Sequence, residues 1–184
     1  MNVNDLFKGD GNDAPDYTVT QLDLTECGLT SLKGIEKYKD LTWLNCDDNN
    51  LTDISDLKEC KNIETLCLRR NKLKDISAIS HLKILGELYL SSNNIESIED
   101  LRGMPYLHTL EIDENPIKSI DVILSLEDIM AININKTPCY SKYSGMSLDR
   151  IFAKLKLEPH LKEGDSLRGA ASISDTGLFD FKTK

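Results

Sequence analysis

The side chains with catalytic or metal-binding potential are three histidines, at 81, 108 and 160, five cysteines, at 27, 46, 60, 67 and 139, and 31 carboxylates, within 184 residues. No two histidines share a helical turn, so the two-histidine face of a zinc hydrolase is absent. The cysteine spacings of 19, 14, 7 and 72 match neither a disulfide framework nor a zinc signature. They read as free thiols in a reducing compartment. The chain contains no G-x-S-x-G, no G-x-x-x-x-G-K-[ST] and no glycine-rich dinucleotide turn. Its carboxylates could in principle form a general acid and base, but nothing in their pattern sets two of them in the unequal environments such a pair needs. The segment DGNDAPD at 10–16 lacks the D-x-[DN]-x-[DN]-G order and the distal glutamate of a calcium loop. The expectation is a chain with no catalytic, cofactor-binding or metal-binding residues.

Charge narrows the partners. With 22 basic and 31 acidic residues the net charge is −9, which disfavours nucleic acid and anionic membrane and suits a basic protein. Hydrophobic content is 40% and mean hydropathy −0.34, and no apolar run approaches the roughly 18–20 residues of a membrane helix. The opening residues MNVNDLFKGDGNDAPD combine no basic start with an apolar stretch. Taken as the whole chain, the protein is expected in the cytosol, as a monomer when alone.

Those residues are positioned by an internal repeat. Blocks beginning at Val19, Leu41, Ile63, Leu85, Leu107 and Ile129 lie 22 residues apart without a slip. Apolar residues recur at block positions 1, 4, 6, 11, 14 and mostly 17, as in Leu85, Leu88, Leu90, Ile95, Ile98 and Leu101. Positions 4 and 6 alternate with polar neighbours, the period of a short strand with one buried face. Asparagine fills position 9 in four blocks, as Asn49, Asn71, Asn93 and Asn115, with Cys27 in the first and Thr137 in the last. A buried carboxamide both donates and accepts, so this column can satisfy a turn leaving the strand. No block buries its own apolar side, and stacking of strands into one parallel sheet is required.

The stretches NNLTDISDLKECKNIETLCLRRNKLKDISAISHLKILGELYL and NNIESIEDLRGMPYLHTLEIDENPIKSI resemble leucine-rich repeat proteins, specifically the 22-residue class of bacterial internalins and of a eukaryotic protein phosphatase regulatory subunit. The resemblance spans Val19 to Pro138. It implies an α/β solenoid with a short-strand parallel sheet on the concave face, short helical or extended convex segments, and caps at both ends. The expected organisation is an N-terminal cap at 1–18, six repeats at 19–138, a C-terminal capping helix region at 139–162 and a tail at 163–184. Ser147 is the expected N-cap of a helix reaching about Leu157, with Leu148, Ile151, Phe152 and Leu155 on one face. The tail is rich in small and polar residues and is expected either to move freely or to dock through Leu178, Phe179 and Phe181.

In such a solenoid, positions 2, 3, 5, 7 and 8 face the concave side. Over the first five blocks they hold nine carboxylates, Asp23, Glu26, Asp47, Asp48, Glu64, Glu87, Glu111, Asp113 and Glu114, against Arg69 and Arg70. Trp43 and Tyr89 add aromatic surface, Cys67 is the cysteine expected there, and His108 adds an imidazole. The candidate partner-binding residues are Trp43, Tyr89, Arg69, Arg70, Asp23, Asp47, Asp48, Glu87, Glu111, Asp113 and His108. Two readings of the charges stand side by side: a binding surface, or a solvated face in which Arg69 and Arg70 neutralise Asp47, Asp48 and Glu87 across strands. The expected function is a non-enzymatic protein-binding module, with an inhibitor or immunity-type role masking a basic target such as a toxin. A scaffold subunit tethering an enzyme and a self-associating architectural protein are the alternatives.

Overall fold

The computed structural model describes residues 1–6, 15–146, 150, 151 and 153. Six three-residue strands, β1 (Gln21–Asp23), β2 (Trp43–Asn45), β3 (Thr65–Cys67), β4 (Glu87–Tyr89), β5 (Thr109–Glu111) and β6 (Ala131–Asn133), form one parallel sheet in chain order. Each pairs with the next at an offset of 22 residues, so Leu22, Leu44, Leu66, Leu88, Leu110 and Ile132 stand in one row. Backbone hydrogen bonds carry the ladder past the strands: Cys46 N–H reaches the Cys67 carbonyl at 2.8 Å, and Asp48 N–H reaches that of Arg69 at 3.0 Å.

The strands stop after three residues because the chain must turn. Position 8 adopts a left-handed backbone in all six blocks, with φ between 51° and 58° at Glu26, Asp48, Arg70, Ser92, Glu114 and Lys136. None of these is glycine, so the neighbouring blocks impose the conformation. The asparagine at position 9 then ties that turn to the preceding block. Asn71 Oδ1 accepts the Leu51 N–H at 2.9 Å, and its Nδ2 donates to the Cys46 carbonyl at 2.9 Å. Asn49, Asn93 and Asn115 repeat both contacts, and Thr137 instead turns its hydroxyl onto the Ile134 carbonyl at 2.6 Å.

The return side is made of 3-10 turns at Ile35–Lys37, Ser55–Glu59, Ser77–His81, Glu99–Leu101 and Asp121–Ser125. A polar side chain two residues upstream helps place them. Asp53 and Asp75 accept the N–H of Ser55 and Ser77 at 2.8 Å, while Ser97 and Ser119 do the same for Glu99 and Asp121. Each turn presses its position 17 residue, Ile35, Leu57, Ile79, Leu101 or Ile123, into the core. Position 20, which periodicity did not single out, is a further core column of Tyr38, Cys60, Leu82, Met104 and Leu126. Its chemistry changes from block to block, so it has no single-residue signature.

The first residues form a short helix, α1 (Val3–Leu6), whose Val3 is buried against the repeats. The Met1 carbonyl accepts the Thr30 N–H at 2.9 Å. After β6 a second short helix, α2 (Tyr140–Tyr143), buries Tyr143. Of the helix expected from Ser147 to Leu157, Arg150, Ile151 and Ala153 are described as helical and Ile151 is buried. The rest of that segment, most of the 10–16 loop and the tail lie outside the described residues. All five cysteines carry free thiols.

Candidate functional site

The sheet's solvent face is built from the residues flanking the buried row. Position 3 contributes Gln21, Trp43, Thr65, Glu87, Thr109 and Ala131, and position 5 contributes Asp23, Asn45, Cys67, Tyr89, Glu111 and Asn133. Trp43 and Tyr89 are both half-buried on this face, but in different rows and two strands apart. They form two separate aromatic points.

Arg69 organises the centre. Its guanidinium donates from Nη1 to Asp47 Oδ2 at 3.1 Å and from Nε and Nη2 to Glu111 Oε2 at 3.1 and 3.0 Å. It also lies 4.1 Å from the Tyr89 ring centroid, a cation–π contact. Asp47 further accepts the Arg69 backbone N–H at 2.6 Å, and Tyr89 donates its hydroxyl to Glu87 Oε2 at 2.9 Å. Burial and the hydrogen bond to Glu87 hold the Tyr89 phenol protonated well above its ordinary range. Arg70 pairs with Asp48, and Lys136 with Glu114. Cross-strand neutralisation by the arginines holds for Asp47 and Asp48 but not for Glu87, which accepts from Tyr89 instead; Glu111 takes its place on Arg69, and Glu114 pairs with Lys136.

Cys67 differs from its expected exposure. It is only 6% exposed, and burial raises its thiol to about 11. A thiol so held is a weak nucleophile at neutral pH. Among the described residues, no three His, Cys, Asp or Glu side chains come together as metal ligands.

Asp23 and Asp113 are held by neutral donors instead. Asp23 accepts the hydroxyl and N–H of Thr25, at 2.6 and 3.0 Å, and these bonds hold its carboxyl below the ordinary range. Asp113 accepts from the Ser91 hydroxyl and the Asn133 amide, both neutral. Asp75 is lowered by Ser77 and Asp48 by its Arg70 partner, while Asp56 is raised, first by desolvation. A depressed carboxyl contributes stability above its unfolded value, near 3.8 for aspartate, and loses it as pH falls through the folded value. Most shifts here are downward. The melting temperature is therefore expected to hold between about pH 7 and 5.5 and to drop below about pH 4. A drop already complete at pH 5.5, followed by chromophore-independent calorimetry, would contradict these assignments.

Sequence reasoning missed one part of the site. At the N-terminal edge of β3 to β5 lies a groove of about 510 Å³ whose lining includes Glu64, Ile84, Gly86 and Tyr106. The sequence did carry a signal. Gly86 interrupts the side-chain column Thr20, Thr42, Glu64, His108, Met130 at position 2, and Ile84 and Tyr106 occupy position 22, where the other blocks have Asp40, Asn62 and Asp128. His108 lines this groove, its ring lying across Gly86 and its Nδ1 3.0 Å from the Thr109 hydroxyl.

The short-strand parallel sheet, the asparagine column and the 3-10 returns define a leucine-rich repeat solenoid. The family model for leucine-rich repeats in two copies matches residues 39–83. Among solved structures, the chain is similar to internalin C2 of Listeria monocytogenes, with 24% identity and a TM-score of 0.63 over 65% of this chain and 53% of that one. An internalin F of the same species matches at 28% identity and a TM-score of 0.52, over 64% of this chain and 42% of the other. A leucine-rich repeat protein of Leptospira interrogans matches at 27% identity and a TM-score of 0.54, over 60% and 29%. The chain thus spans about half the length of internalin C2 and less of the others. No curated protein matches the sequence.

Proposed function

We propose that this protein is a non-enzymatic cytosolic binding module that grips a basic protein through the solvent face of its sheet. The observation that carries this reading is the uneven charge of that face. Of its nine carboxylates in the first five blocks, Asp47, Asp48, Glu111 and Glu114 form ion pairs, Glu26 and Asp113 form none but lie in the fields of Arg70 and Lys136, and Asp23, Glu64 and Glu87 have no cationic partner among the described residues. Unpaired charge steers a basic partner, and half-buried Trp43 and Tyr89 offer the aromatic contacts that hold it. The paired arginines, Arg69 and Arg70, act as braces that set the shape of the face. Five free thiols suit a reducing compartment.

Within this class, masking of a basic target, as an inhibitor or immunity-type protein does, fits a small acidic solenoid best. The experiment is capture from host lysate with the wild type, with Trp43→Ala, and with the charge-reversed Asp23→Lys/Asp113→Lys variant, at low and high salt. One basic protein is expected to be retained by the wild type and at least about tenfold less by either variant, corresponding to roughly 1.4 kcal/mol. Loss of that protein's activity in the complex supports masking; full activity supports a tethering scaffold instead. Equal retention by all three chains overturns the concave-face reading.

A further inference from the structure

Gly86 has an ordinary negative-φ backbone, so its conformation would tolerate any side chain. The space a side chain would take is held by His108. A Cβ there would stand 2.8 Å from His108 Nε2 and 3.2 Å from its Cδ2. A glycine inside a strand column often marks close approach of another group, and here that group is the His108 ring, which lies over Gly86 and lines the 510 Å³ groove between β3 and β5. The groove is amphipathic in a particular way. Ile84 and Tyr106 form apolar walls, yet are 40% and 55% exposed, an unusual situation for an isoleucine beside a tyrosine. Glu64, Glu87 and Asp128 stand around the same opening, and no lysine or arginine among the described residues lines it. None of the three has a cationic partner among the described residues, and Arg69 and Arg70, beyond the opposite end of the strands, are engaged with other acids.

We propose that this groove seats an arginine side chain of the partner protein. The proposal rests on the reading of a basic partner and specifies where that partner's charge is received. Arginine fits better than lysine. Its planar guanidinium can stack on the Tyr106 ring while donating to more than one carboxylate, and its three-carbon stem can cover Ile84. A nucleotide or other anion is disfavoured by the three acids. An all-apolar segment would strand them without counter-charge.

The test uses N-acetyl-arginine methylamide as the probe and its neutral citrulline counterpart as the control, followed by amide shifts of the full chain. The arginine probe is expected to produce saturable shifts, with a midpoint on the order of millimolar, confined to residues 64–65, 84–87, 106–108 and 128. The citrulline probe is expected to produce none. Tyr106→Ala and Glu64→Gln should each weaken the probe about three- to fivefold, and Gly86→Ala, whose methyl displaces the His108 ring into the groove, should weaken it as well. If Gly86→Ala fails to fold, the two exposed-site variants still decide. Shifts spread evenly over the sheet face, or equal response to citrulline, overturn the arginine seat. The same variants in the capture experiment separate the two claims. A partner lost with Trp43→Ala but retained in full by Tyr106→Ala leaves the concave face standing and removes the seat. A partner indifferent to both removes the broader reading as well.

Discussion

Above about pH 9 the protein is expected to lose stability steeply. Cys60 and Cys67 are buried, and burial raises each thiol from an ordinary value near 9 to about 11. At pH 8 both states are protonated and the contribution is fully present. As pH rises past the unfolded value, only the unfolded chain ionises, so stability drains away until the folded value is reached. Integrated to pH 10.5, a two-unit shift removes about 2 kcal/mol per thiol, or about 4 kcal/mol from the pair. Cys46 and Cys139 shift in the same direction through desolvation, as do Tyr38 and Tyr89, and add to the loss. Against a typical domain stability of about 5–15 kcal/mol this is large. Urea unfolding at pH 8 and 10.5 measures it. A Cys60→Val variant should lose about 2 kcal/mol less than the wild type over that interval. An identical alkaline loss in the variant would show that Cys60 is accessible to ionisation in the folded state.

Asn71→Leu is expected to cost about 2–4 kcal/mol, through one group above all. The Leu51 N–H has no acceptor other than Asn71 Oδ1 among the described residues, and it is buried. The carbonyls the carboxamide serves are better protected. Cys46 O also accepts from Asn49 at 3.0 Å, and Leu68 O also accepts from Asn93 at 2.9 Å, so each keeps one partner. Leucine in a site 7% exposed additionally crowds a turn held in a left-handed backbone at Arg70. For a chain of this size the cost corresponds to a melting temperature lower by roughly 5–15 °C. Asn50→Leu, at an exposed position one residue from the column, is the control and should change it little. Equal melting of the two variants would mean that the column does not carry the turn.

Much of the fold was legible because a solenoid writes the same physical problem six times. Leu44, Leu66 and Leu88 occupy one row because each block needs the same inward residue, and a fixed 22-residue offset makes the register readable without coordinates. The position 20 column escaped because Tyr38, Cys60, Leu82 and Met104 fill one space with four different shapes. At the site, the sequence placed Trp43, Tyr89 and the acids on one face but could not say which acids were already spent. That depends on guanidinium reach: Arg69 spans from Asp47 on one side to Glu111, 42 residues away and two strands over. Cys67 was placed on the right face and given the wrong exposure, since alternation assigns a direction and says nothing about the neighbouring side chains that cover it. The groove at Gly86 depended on a missing side chain, which a scan for chemically capable residues passes over.

On the proposed function, the solvent face of the sheet receives the partner. Hydrogen–deuterium exchange of the full chain, free and bound to the captured protein, tests it most directly. Added protection is expected along 43–48, 64–70, 86–92 and 108–114, the strands and the turns that leave them, with the 3-10 turns at 55–59 and 77–81 unchanged. Protection centred on those turns, with the strand segments unaffected, would contradict it.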